Sequence, residues 1–116
     1  MYTSLDRFRI KDGKEELTRE WFAYLSDNLD AANATMPAEG SHIESWFLNH
    51  EADGWYGYVF VIYDSDEHSQ QVFEQSDSPL DLKHAAYMKA CIDYSDYTEM
   101  KPAAALGDYS VFADRG

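Results

Sequence analysis

Residues 2–10, "YTSLDRFRI", alternate along the chain. Asp6, Phe8 and Ile10 fall on one side and Leu5, Arg7 and Arg9 on the other, the period-two pattern of a strand. At "KDGKEEL" the period lengthens to that of a helix. Asp12 is placed to cap it, Glu15 stands at its third position four residues before Arg19, and Leu17, Trp21, Tyr24, Leu25, Asn28, Leu29 and Ala32 share one face. Pro37 and Gly40 bring this helix to a close. "SHIESWFLNH" (41–50) and "WYGYVFVIY" (55–63) predict two more strands, joined by "EADG" with the hairpin signal Asp53-Gly54. The third strand is apolar on both faces, which predicts a central strand covered on both sides.

A short helix is expected around "EHSQQVFEQ" (67–75). A second, over "DLKHAAYMKACID" (81–93), has Ser78 as cap, Pro79 at its first position and Asp81 at its third. "ALGDYSVFA" (105–113) alternates again behind Pro102 and predicts the last strand. The order strand, helix, strand, strand, helix, strand, with right-handed crossovers, makes an α+β, ferredoxin-like βαββαβ domain over residues 1–116. Its four-stranded antiparallel sheet carries the helices on one face. The other face of the third strand is then apolar and bare, and a second copy of the chain is the simplest cover, so a homodimer is expected.

Charge narrows the partners. With 22 acidic against nine basic residues the formal charge is −13, which repels nucleic acid and anionic lipid surfaces. The single cysteine, Cys91, excludes an intrachain disulfide and a cysteine-based zinc site. The longest strongly apolar run is far short of the roughly 20 residues that span a bilayer, and the first ten residues lack a signal-peptide pattern, so a cytoplasmic protein is expected. Eighteen residues are Phe, Trp or Tyr, which suits a pocket wall or a subunit contact.

From "RFRIKDGKEE" through "HIESWFL" and "YVFVIYD" to "DSPLDLKHAAYMKACID", nearly the whole chain resembles the dimeric α/β-barrel superfamily. More closely, it resembles a small bacterial family of unknown function within that fold. The resemblance implies two ferredoxin-like sheets packed face to face, with a pocket between helices and sheet in each subunit. Relatives by fold include antibiotic-biosynthesis monooxygenases, haem-degrading monooxygenases and rhamnose mutarotases. The haem-degrading pattern pairs a last-helix histidine with a preceding tryptophan and a first-strand asparagine. Here His84 matches the histidine, Phe73 stands near the tryptophan's place, and the first strand holds no asparagine. The mutarotase histidine on the first helix is absent as well.

On the last helix, His84 and Cys91 are about 10 Å apart along the axis, too far for a nucleophilic dyad. His84 and Tyr87 are helical neighbours and are the candidate proton-handling pair; set against this is a buried histidine bonded within the core. On the second strand His42, Glu44 and Trp46 point one way, a polar end to a pocket or an ordinary edge-strand face. His42 and Glu44 are also competent metal ligands, but no third can be placed, and no metal site is expected. Arg7 and Arg9 share a strand face and are expected to pair with carboxylates. "DSDE" and "SDSPLD" lack calcium-loop spacing, and no phosphate loop or nucleophile elbow is present.

These readings converge on a homodimeric small-molecule-binding protein without a cofactor, an isomerase or monooxygenase-like enzyme. Its pocket lies between last helix and sheet, with His84 and Tyr87 handling protons. His42, Glu44, Trp46, Tyr58 and Trp21 are the expected ligand contacts. The alternative is a non-catalytic homodimeric structural or regulatory domain whose aromatics serve only core and interface.

Overall fold

Strands and helices form largely where the two periodicities place them. The computed structural model describes residues 1–112. The elements are β1 (Tyr2–Ile10), α1 (Glu15–Asp27), α2 (Leu29–Glu39), β2 (Ser41–Glu51), β3 (Gly54–Tyr63), α3 (Asp66–Gln75), α4 (Pro79–Cys91) and β4 (Ile92–Met100), then a short 3-10 turn at Tyr109–Phe112. The sheet is antiparallel with strand order β2-β3-β1-β4, the ferredoxin-like arrangement, and β1 and β3 are central.

Register decides which side chains meet. Tyr2 lies opposite Tyr63, Asp6 opposite Val59 and Phe8 opposite Gly57, while Glu44 and Trp46 of β2 oppose Val61 and Val59. Directly opposed residues share a face, so all of these line the side of the sheet that the helices cover. Phe8 is fully buried there, and its ring lies across Gly57; a Cβ at residue 57 would come within 2.2 Å of Phe8 Cε2. Trp21 of α1 is equally buried and packs on Trp46, Phe22 and Tyr87. α4 contributes the stripe Leu80, His84, Tyr87 and Cys91, spaced as one helical face.

Five expectations are corrected. The last strand is residues 92–100, directly after α4, and not the alternating tail at 105–113; 109–112 form the 3-10 turn, and residue 113 lies outside the described residues. "IDYSDYTEM" hides its strand character because the register jumps from Asp93 opposite Arg9 to Tyr97 opposite Phe8, and the bulge spoils the alternation. As an edge strand it also keeps most of its length exposed and polar. The first helix divides at Asn28, whose backbone and side-chain N–H groups both donate to the Tyr24 carbonyl. That bond competes with continuation of the helix. Lys14, not Asp12, occupies the N-cap of α1, and Arg19 bonds Glu16 rather than Glu15; Asp12 instead lies 3.6 Å from Arg9. Finally, a bulge between Ser41 and Ile43 takes His42 out of step with Glu44 and Trp46.

The opposite face of the sheet is half polar and half apolar. Arg7 pairs with Glu51 at 2.7 Å and lies 3.6 Å above the Tyr56 ring; Arg9 donates to the Tyr56 hydroxyl and the Asp53 carbonyl. Alongside, Leu5, Phe47 and Met100 remain 37%, 52% and 37% exposed. Among the described residues, no helix is long and apolar enough to cross a membrane.

Candidate functional site

Between the helices and the covered face of the sheet lies a cavity of about 310 Å³. Its floor is Asp6, Val59, Val61 and Tyr63 of the sheet, and Glu44 and Trp46 enter from β2. Helices α1 and α2 close one side with Phe22, Leu25, Met36 and Glu39, and α3 and α4 the other with Phe73, Asp81, His84 and Met88.

His84 is 7% exposed and held by three rings. Trp46 and Phe73 meet it edge-on at 5.4 and 5.6 Å, and Trp21 is tilted against it at 5.6 Å. The Trp21 indole N–H donates to His84 Nδ1 at 2.8 Å. An indole nitrogen only donates, so Nδ1 must present its lone pair and the imidazole proton sits on Nε2. Nε2 lies 3.8 Å from Glu44 Oε1. His84 therefore offers the cavity a hydrogen-bond donor and has no lone pair there to take a proton.

Glu44 is framed by donors. Trp46 Nε1 donates to Oε1 at 2.9 Å and the Tyr63 hydroxyl reaches Oε2 at 3.5 Å. Burial, then the Glu44 and Glu39 carboxylates, push the Tyr63 phenol far above its usual range, so it remains a donor. Tyr97 behaves alike: burial first, then its hydrogen bond to Asp6, raise it. Asp81 accepts from the Ser76 hydroxyl at 2.5 Å, while its backbone N–H donates to Ser78 Oγ at the cap of α4.

Glu39 differs from its neighbours. It is the last residue of α2, which Gly40 ends in the left-handed region at φ 65°. The Gly40 carbonyl accepts from Asp64 N–H at 2.8 Å and His68 bonds the Ala38 carbonyl at 3.0 Å, so this helix end is pinned to β3 and α3. The Glu39 side chain is buried, 7% exposed, with no hydrogen-bond or ion-pair partner among the described residues. Burial, then the carboxylates of Glu44 and Asp81, push it up to about 7.

Of the residues singled out from sequence, the structure brings His84, Glu44 and Trp46 to the cavity, with Trp21 directly behind them. It sets the others apart. Tyr87 does not line the cavity; its hydroxyl donates to Glu20 at 3.0 Å. Tyr58 is on the opposite face of the sheet, bonded to Glu51 and Arg7. His42 bonds Asp64 at 2.6 Å and borders a shallow depression beside the cavity that shares Glu44, Asn33 and Met36 with it. Among the described residues, no three of His, Cys, Asp and Glu are grouped to hold a metal ion.

Residues 1–108 match a family of unknown function, DUF6176. The chain belongs to that family. No curated protein matches it. Among solved structures it is similar to Rv0793 from Mycobacterium tuberculosis, 18% identical with a TM-score of 0.53, covering 90% of this chain and 97% of that one. It is similar also to SnoaB, a cofactor-independent oxygenase from Streptomyces nogalater (16% identical, TM-score 0.53, 91% and 96% covered). A third is an uncharacterized NIPSNAP domain protein from Burkholderia xenovorans (14% identical, TM-score 0.55, 93% and 100% covered). At these identities the likeness is one of fold, the ferredoxin-like arrangement with strand order β2-β3-β1-β4.

Sequence reasoning missed Glu39, Asp6 and Tyr63 as members of the site. For Glu39 a signal was present. A carboxylate in the last turn of a helix, with no basic residue beside it, runs against the macrodipole. Broken local rules of this kind concentrate at sites. Asp6 and Tyr63 carried no such mark.

Proposed function

We propose that this protein binds a small ring-bearing molecule in the cavity and transfers a proton on it without a cofactor. The observation that carries this reading is Glu39, a buried carboxyl with no partner among the described residues, poised near neutrality in the same cavity as the Nε2–H of His84. A general base works best with a pKa near the working pH. Glu39 would take a proton from carbon next to a carbonyl, and His84 would donate a hydrogen bond to the oxygen where negative charge gathers. Trp21 acts as a positioning residue by fixing the tautomer. Tyr87, bonded to Glu20 outside the cavity, has no part in this step, and Glu39 is the base.

An isomerase needs only this step and the return of the proton. An oxygenase of the kind SnoaB is named for would need the same first step, since an enolate is electron-rich enough to meet dioxygen without a cofactor. A non-catalytic domain would give no reason to keep an unpaired carboxyl buried, at the cost in stability that such burial carries. The proposal includes a homodimer in which the uncovered sheet faces meet, as Leu5, Phe47 and Met100 support.

The test is hydrogen–deuterium exchange at carbon in a panel of cyclic ketones, with and without amino substituents, read by proton NMR in D2O. Wild type should accelerate exchange for some members, Glu39→Gln should abolish it, and His84→Ala should weaken it. Ligands that bind in the cavity with no accelerated exchange would sink the catalytic reading and leave a binding protein.

A further inference from the structure

We propose that the cavity selects an organic cation: a ring-bearing molecule whose protonated amine pairs with the carboxylates of Glu39 and Glu44. This rests on the reading of the cavity as a small-molecule site and names the class of molecule that fills it.

The lining is one-sided in charge. Asp6, Glu39, Glu44, Asp66 and Asp81 all border the cavity, and among the described residues no lysine or arginine does. Three of these carboxylates are satisfied within the fold: Asp6 by the hydroxyls of Ser4 and Tyr97, Glu44 by Trp46 and Tyr63, and Asp81 by Ser76. Glu39 is not, although it is buried. A buried carboxylate without a partner is costly, and the opposite charge is the group that relieves it. An anionic ligand would meet five carboxylates and, among the described residues, no lysine or arginine.

The walls favour an organic cation over a metal ion. The ligand-type side chains are dispersed around the cavity, with no group of three placed for coordination among the described residues. Trp46, Tyr63, Phe73 and Tyr97 line the same cavity, and aromatic faces attract an ammonium group while packing against its ring. A bound ammonium would also draw Glu39 toward its ionised form, the form that accepts a proton.

The experiment titrates the full chain with phenethylamine, 2-phenylethanol and phenylacetate by calorimetry and by amide chemical shifts. The three share a ring and differ in charge. The amine should bind at least about tenfold more tightly than the alcohol, as expected of a charge-assisted contact away from water, with phenylacetate weakest. Glu39→Gln and Glu44→Gln, checked by amide spectra to keep the wild-type fold, should each remove most of the amine's advantage while leaving the alcohol's affinity as it was. Shifts should map to β2, α2 and α4. Alcohol binding as tight as the amine's would overturn the charge assignment while the cavity reading stood, as would an amine advantage that survives both variants. If none of the three binds, both readings fall together.

Discussion

The indole N–H of Trp21 donates to His84 Nδ1 at 2.8 Å across 63 residues of chain, joining α1 to α4 beneath the cavity. One bond satisfies two buried polar groups and fixes which imidazole nitrogen faces the cavity.

Trp21→Phe should therefore do two things. Loss of the donor and of ring volume should cost about 2–3 kcal/mol, a fall in Tm on the order of 10 °C. In 15N NMR, His84 should show the Nε2–H tautomer in wild type and a mixture in the variant. On that background His84→Ala should cost less than in wild type, with a coupling of about 1 kcal/mol or more. Additive losses would mean that the bond contributes nothing measurable.

Stability should fall as pH rises through Glu39's range. In the unfolded chain this carboxyl titrates near its ordinary value of 4.5, and in the fold near 7. The folded state holds the extra proton in that window, so the free energy of unfolding drops as pH climbs from about 4.5 to about 7 and Glu39 adds no further change above it. The difference between wild type and Glu39→Gln isolates this part. It should amount to about 1–2 kcal/mol, less than the full shift implies because water at the cavity mouth screens the charge. Parallel pH profiles for the two proteins would contradict it.

Gly57→Ala should be severely destabilising. A Cβ at 2.2 Å from Phe8 Cε2 cannot be accommodated without moving a fully buried ring on the neighbouring central strand. The expected cost is about 3 kcal/mol or more, seen as a lower midpoint in urea or failure to accumulate as folded protein. The pairing of Phe8→Leu with Gly57→Ala should recover part of the loss.

The uncovered face of the sheet should hold two copies together. Sedimentation at micromolar concentration should show a dimer, and Phe47→Arg, which puts a charge at a 52%-exposed aromatic on that face, should weaken it roughly thirtyfold or more. A stable monomer in wild type would refute the pairing.

The sequence by itself determined the architecture. Alternation in residues 2–10 and 55–63, the Ser78-Pro79-Asp81 start of α4 and the Asp53-Gly54 turn are local signals, because caps, turns and periodicity act over a few residues. They sufficed to place His84 on a helix face over the sheet and Trp46 beneath it. Where a pattern is interrupted the reading failed: β4 is broken by a bulge opposite Arg9, α1 stops at an asparagine that bonds its own backbone, and His42 is moved off its expected face by one extra residue. Tertiary structure alone decided what meets in the cavity. That Glu39 is buried, that Trp21 fixes the tautomer of His84, and that five carboxylates share one cavity with no basic side chain among the described residues all depend on contacts between distant segments. A residue's desolvation and its charged neighbours are properties of the packed fold, and spacing along the chain does not carry them.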